Sequence, residues 1–217
     1  MVPLTLPRAV GAVLAQTLVV AAAFAIAFGL LADDDPFDGS LRDFVLVIAI
    51  NLVNGAVVLG GALRGVSWTA LGWGPPRDVG RTVVLGAVGA LLAAAIVAGV
   101  GLALGGLDGL RETVGGFLTM PVKTRLLCVL IGLGAALMEE TVFRGGLQPV
   151  LVARLGRPLG VAVTAVVFSA YHLRFAPIGF VVKVLYGLLY GALRETTGRN
   201  WAPALAHLGV WTIVGFA

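Results

Sequence analysis

Charge is what this 217-residue chain has least of. Only 12% of its residues are charged and 59% are hydrophobic, with a mean hydropathy of +1.02. Soluble globular domains run at about 45–50% apolar and about 25% charged, so a soluble domain is excluded and a polytopic membrane protein is indicated. Cysteine is nearly missing as well. Cys128 stands alone inside an apolar run, and one thiol makes no internal disulfide. Two histidines and two lysines leave few side chains for acid–base or metal chemistry. The net charge of +4 is carried mostly by arginines scattered between apolar segments. They read as topology signals rather than as a nucleic-acid surface, and no nucleic-acid partner is expected. No internal repeat or low-complexity tail stands out. The glycines of the third apolar segment lack the lysine and strand context of a phosphate-binding loop.

What is present is a series of about seven apolar segments, which predicts an all-α, polytopic transmembrane helix bundle. The first runs from about Ala9 to Leu31, longer than the apolar core of a typical signal peptide. An acidic loop, Asp33–Asp43, separates it from the second, Phe44–Leu63, whose Asn51 and Asn54 should face other helices because an unpaired amide in lipid is costly. Arg64–Arg81, with Pro75, Pro76, Gly72 and Gly74, reads as a surface connection. The third segment covers about Thr82–Leu104, and the glycine-rich stretch Gly105–Gly116 reads as a loop. The fourth starts near Leu126 and continues to about Ala153, with Pro149 as a kink. The fifth is short, Leu159–Leu173, and ends on Tyr171-His172; the sixth covers Ala176–Leu193 and the seventh starts at Trp201. The length suits one membrane-embedded domain, residues 1–217, with residues 1–116 generic in character and the chemistry in 117–217, the last four spans. Gly187 and Gly191 form a small-residue stripe on the sixth segment, suited to close helix approach.

The loop charges give an orientation. With seven alternating spans, Arg8, the loop holding Arg64, Arg77 and Arg81, the pair Arg154 and Arg157, and the pair Arg194 and Arg199 fall on one side. The acidic loop, the Asp108–Glu112 stretch and the Arg174 turn fall on the other, with Lys123 and Arg125 as mild exceptions. The positive-inside rule then puts the N-terminus in the cytoplasm. The arginine-, alanine- and glycine-rich composition resembles that of a GC-rich prokaryotic gene, so the expected location is a prokaryotic cytoplasmic membrane, with membrane lipid as the constant partner.

Few ionisable groups remain inside the spans: Glu139, Glu140, Arg144, His172, Lys183 and His207. Charged groups at bilayer depth are rare and mark functional sites by default. Glu140 and Arg144 stand at i and i+4 with the acid first, the favourable order for a helical ion pair. Glu139 is about 100° further around the helix, which makes it the carboxylate free to face a cavity. Withdrawn from water, a carboxylate is a better general base. The alternative is that the three charges form a structural polar cluster that locks helices together. Two histidines and a carboxylate on separate helices are also the set needed to bind and deprotonate a water, directly or through Zn²⁺. The spacing is not that of the His-Glu-x-x-His zinc proteases.

Glu139-Glu140-x-x-x-Arg144, then Phe168-x-x-x-His172, then His207 in Ala-Pro-Ala-Leu-Ala-His-Leu resemble the three motifs of the CPBP family of intramembrane proteases. These are the CAAX proteases and bacteriocin-processing enzymes related to the Rce1-type prenyl-protein endopeptidases. The resemblance covers roughly residues 120–217. It implies an endopeptidase acting on a peptide or protein substrate at the membrane, with Glu139 activating water, His172 and His207 assisting, and Glu140, Arg144 and Phe168 shaping the site. It leaves the cofactor open between none, the expectation here, and Zn²⁺ held by Glu139, His172 and His207. One position departs from the pattern: where the third motif usually reads His-x-x-x-Asn, this chain has Trp211. The asparagine is the natural oxyanion donor, so Trp211 itself has to donate through its indole N–H, a neighbour such as Asn51 or Asn54 has to substitute, the substrate class differs, or proteolysis has been lost. The non-enzymatic reading is a membrane scaffold or an immunity or processing accessory. A small proton-coupled transporter uses the same residue types, but no broken helix pair or repeat symmetry supports one. The shared site also needs the short fifth segment to tilt, because His172 is at its outer end.

Overall fold

A computed structural model describes residues 2–29, 40–173 and 176–213. In lipid a backbone has no water to bond, so each apolar segment must satisfy its N–H and C=O groups internally, and helices result. Among the described residues all regular structure is helical: α1 (Leu6–Gly29), α2 (Leu41–Val57), α3 (Val79–Thr119), α4 (Val122–Glu139), α5 (Gln148–Leu155), α6 (Arg157–Tyr171), α7 (Pro177–Thr197) and α8 (Trp201–Ile213). Two π-helical segments, Val58–Ala62 after α2 and Glu140–Leu147 between α4 and α5, join their neighbours without a break. The result is seven helical stretches among the described residues, the third of them broken at Gly106, and five are long and apolar enough to cross a membrane. Helix α6 has 15 residues, which gives about 22 Å of rise against a hydrocarbon core of about 30 Å. It is a short helix within the bundle.

Several expected boundaries shift. Gly105–Gly116 is not a loop: only Gly106 leaves helical geometry, at φ 59° and ψ −146°, a conformation suited to glycine, and helix resumes after it. The chain doubles back there, so that Gly109 lies against the carbonyl of Gly101. Helix α2 begins before Phe44, because Ser40 and Asp43 form a reciprocal capping box that starts it at Leu41. The fourth span does continue past Pro149, as expected, and its departure from α-helix is the π segment Glu140–Leu147 just before that proline, which has no N–H to bond back to Gly145. Most of the acidic loop and the Arg174 turn lie outside the described residues.

The packing is that of a membrane protein. Large apolar side chains face outward, among them Leu18, Leu52, Leu91 and Leu104, while Gln16, Asn54, Glu140, Arg144, Gln148 and Asn200 are buried. The arginine-bearing segments gather at one end. Arg8 donates to the carbonyls of Ala62 (3.1 Å) and Arg64 (2.6 Å), Arg199 to Pro75 (3.3 Å), and Arg157 pairs with Glu195 at 3.2 Å. The Arg64–Arg81 connection is more than surface. Leu71 and Gly72 are buried, and Trp73 packs edge-on between Trp68 and Trp201.

Small residues set the distances between the helices that carry the site. Gly187 and Gly191 bring α7 onto α6: a Cβ at Gly187 would lie 2.7 Å from the backbone of Ala165, and one at Gly191 would lie 2.8 Å from Val161. Gly86 and Gly89 do the same for α3 against Leu205 and Ala206 of α8. Because Ala165 meets Gly187 with backbone, not with a pliable side chain, Gly187→Leu is expected to lose about 1–3 kcal/mol through overpacking, read as a lower thermal unfolding midpoint in detergent.

Candidate active site

The acidic motif straddles the junction between α4 and the π segment. π-helical departures inside α-helices are frequently found at functional sites, and here all of Glu140–Leu147 is buried. Two connections hold the segment from outside. Asn200, at the start of α8, donates to the carbonyls of Leu71 (2.7 Å) and Glu140 (3.1 Å). Trp73 Nε1 donates to Thr141 Oγ1 at 2.8 Å, and that hydroxyl donates in turn to the carbonyl of Leu137 at 2.6 Å.

Glu140 and Arg144 form the expected ion pair, Nε to Oε2 at 3.3 Å, both side chains fully buried. The guanidinium is held further by the carbonyl of Gly187 (3.3 Å) and by the faces of Phe168 and Tyr190, whose centroids are 4.3 and 5.3 Å from Cζ. Glu140 does more than neutralise Arg144, however. Its other oxygen, Oε1, is 3.0 Å from Nδ1 of His207, a contact the sequence spacing did not announce.

Glu139 has other neighbours. Its Oε2 is 3.9 Å from Nε2 of His172 and 3.8 Å from Nε2 of His207. The end of α6 therefore does reach the acidic motif, and Glu139, His172 and His207, from three helices, face one another. Both imidazoles are oriented from behind. His172 Nδ1 donates to the carbonyl of Phe168 at 2.7 Å, and His207 Nδ1 meets the carboxylate that is paired with Arg144. Carbonyl and carboxylate oxygens only accept, so each Nδ1 carries a proton, and each Nε2 is the ring nitrogen that faces Glu139. Phe168 packs against His172 and, at longer range, His207, with centroids 4.8 and 6.3 Å away, while Tyr190 stacks on His207 at 5.0 Å. Access separates the two glutamates: the side chain of Glu139 is 10% exposed and that of His172 is 17%, against 0% for Glu140.

The donor types Glu, His and His are those of a catalytic zinc site, and the Nδ1 contacts are typical of its outer shell. The spacing is not. A tetrahedral zinc with bonds of about 2.1 Å brings its ligand atoms about 3.4 Å apart, whereas the Glu139–histidine separations are 3.8 and 3.9 Å. Among the described residues no group of three His, Cys, Asp or Glu side chains is arranged to hold a metal ion.

Of the other expected site residues, Trp211 seats its Cβ against Gly132, two turns before Glu139 on α4 and so about 10 Å away along the axis. Asn51 lies against Gly134 and donates to Val47 of its own helix at 2.9 Å, and Asn54 is buried in α2. Two residues that the motif pattern passed over do reach Glu139. Tyr171 Oη donates to Glu139 Oε1 at 3.4 Å, and Gln16 of α1 donates to Tyr171 Oη at 3.2 Å. Gln16 was legible as a polar residue in an apolar span, the same signal that drew attention to Asn51 and Asn54. Tyr171 gave none beyond standing next to His172.

Comparison with curated proteins and with solved structures gives no match. A family model does match: residues 121–213 fit the type II CAAX prenyl endopeptidase, Rce1-like, family. That stretch contains Glu139, Glu140, Arg144, Phe168, His172, His207 and Trp211, but neither Gln16 nor the Arg64–Arg81 connection. Residues 121–213 are thus similar to the Rce1-like type II CAAX prenyl endopeptidases, the same stretch that carries the three sequence motifs.

Proposed function

We propose that this multi-pass membrane protein is an intramembrane endopeptidase in which Glu139 is the general base. The observation that carries the reading is that Glu139 Oε2 faces two imidazole Nε2 atoms at 3.8 and 3.9 Å, each with its Nδ1 already engaged. A water among these three atoms gives one hydrogen to Glu139 and directs the other at an Nε2. Glu139 removes the first proton as the water oxygen attacks the scissile carbonyl carbon, and the carbonyl electron pair moves onto oxygen. The tetrahedral species collapses by breaking the C–N bond, and Glu139 returns its proton to the leaving amine. The products are a carboxylic acid, which keeps the second water proton, and an amine; on release that proton passes to the amine, leaving carboxylate and ammonium. Glu140 and Arg144 take no part in the bond changes; they hold His207 in the tautomer the step needs.

The family points to a peptide bond near the C-terminus of a membrane-anchored protein as the substrate. The gathering of Arg8, Arg64, Arg157 and Arg199 at one end supports a cytoplasmic N-terminus in a prokaryotic inner membrane. Zinc is not needed for the step as written. The non-proteolytic scaffold reading keeps one specific observation in its favour, Trp211 at the usual asparagine position.

The test is cleavage of a farnesylated CAAX peptide by the purified, detergent-solubilised protein, with the released tripeptide identified by mass spectrometry. Cleavage is expected, and it should survive 1,10-phenanthroline within a factor of two. Loss of activity that Zn²⁺ restores overturns the metal-free mechanism. No cleavage of this or any membrane-anchored peptide, with a partner protein co-purifying, supports the scaffold.

A further inference from the structure

An acyl-transfer site needs a hydrogen-bond donor where the oxyanion develops, and such a donor contributes about 10²–10³-fold to the rate. The residue expected to supply it is replaced here by Trp211, whose base sits on Gly132, away from Glu139 along α4. We infer that Tyr171 is the oxyanion donor of this protein and that Gln16, from α1, positions it. The inference rests on the proteolytic reading above.

The geometry gives the reason. Tyr171 is buried, with its ring between Phe143 and His172 at centroid distances of 5.2 and 4.9 Å. These contacts leave the hydroxyl at Glu139, the carboxylate that activates the water. Gln16 is 1% exposed and donates to Tyr171 Oη, so the phenol oxygen acts there as acceptor and its own proton is directed at Glu139 Oε1. At 3.4 Å that last bond is long, and a long hydrogen bond to a carboxylate is easily exchanged for a better one.

The reaction makes the exchange favourable. Before attack the negative charge is on Glu139. Once Glu139 has taken the water proton, the charge is on the former carbonyl oxygen, bonded to the carbon that the water has attacked. A donor poised beside Glu139 follows the charge from one oxygen to the other without leaving its place. Tyr171 gives a hydrogen bond and transfers no proton, so atoms and charge balance as in the step above. Gln16 keeps the phenol from turning its proton elsewhere. This assigns to α1, which lies outside the family match, a role in the chemistry, and it explains how the chain manages with Trp211.

Tyr171→Phe removes one oxygen and keeps the ring packing. The expected result on the farnesylated CAAX peptide is a fall in kcat of about 10²–10³-fold with KM changed less than threefold. Gln16→Leu should lower kcat about tenfold, and its effect should vanish in the Tyr171→Phe background, since it acts only through the phenol. A phosphinate analogue of the same peptide, which mimics the tetrahedral species, gives a second reading. Wild type should bind it more tightly than the uncleaved peptide carrying an amide isostere, and Tyr171→Phe should erase most of that preference while leaving the isostere's affinity alone. Tyr171→Phe with kcat within threefold of wild type, or with equal losses for phosphinate and isostere, overturns the assignment. Glu139→Gln separates the two levels: if Glu139→Gln is dead and Tyr171→Phe is fully active, only the oxyanion assignment fails. If Glu139→Gln is as active as wild type, the proteolytic mechanism itself fails.

Discussion

Glu139→Gln is expected to lower kcat by about 10²–10⁴-fold, the range for removal of a positioned general base, with KM changed less than threefold. Glutamine has nearly the same shape, and its amide oxygen still accepts the bond from Tyr171, so the neighbours in the site have no cause to move. What is lost is the ability to take a proton from water. The variant should insert and fold as the wild type does, and its thermal midpoint should be unchanged or raised, because a carboxylate withdrawn from water is replaced by a neutral group. Those two readings together identify a catalytic group, since a carboxylate serving only to tie helices together would lose stability on the same substitution. Glu139→Asp makes a useful control. It keeps the base but draws it back by about one methylene, roughly 1.5 Å, from the two Nε2 atoms, and a misplacement of about 1 Å can cost about 10²-fold. Initial rates on the CAAX peptide and size-exclusion profiles in detergent suffice. Wild-type turnover in Glu139→Gln would remove Glu139 from the mechanism and leave the fully buried Glu140 as the only other carboxylate in the cluster.

How much of this was legible before the structure differs by element. The apolar segments could be drawn because period and length need no partner, and the helices follow them with boundary shifts of a few residues. Gly105–Gly116 misled, because glycine frequency signals a break only where φ turns positive, and here that is Gly106 alone. The Glu139, His172 and His207 set was readable because each is an ionisable residue in lipid, where such a group needs a reason. Its arrangement was not. Spacing along one helix pairs Glu140 with Arg144, but nothing along that helix says that His207, on α8, will approach Glu140 with one ring nitrogen and Glu139 with the other. The N-terminal half read as generic because Gln16 and Leu71 carry no motif; their importance comes only from what they touch, Tyr171 and Asn200. Interactions between segments distant in the chain are set by tertiary packing, which no local pattern encodes.

Arg144→Met is expected to destabilise the protein by about 3–5 kcal/mol, the range for removing one partner of a buried ion pair. That is a large share of a total stability of about 5–15 kcal/mol. Methionine fills most of the volume, so the effect is electrostatic. Glu140 is left fully buried, with only the Nδ1 proton of His207 to compensate its charge, and the cation resting on the face of Phe168 is gone. The double variant Glu140→Gln/Arg144→Met separates charge from shape. With no orphaned carboxylate, it should regain much of the stability the single variant loses, measured as the thermal midpoint in detergent. It should not regain activity. The glutamine introduced in place of Glu140 accepts from His207 Nδ1 as a neutral amide, so the imidazole is polarised less and held less firmly in its tautomer. A double variant as unstable as Arg144→Met would mean that Arg144 acts through packing on Phe168 and Tyr190 rather than by compensating Glu140. A double variant both stable and fully active would mean that the buried pair serves the fold alone and that His207 needs no carboxylate behind it.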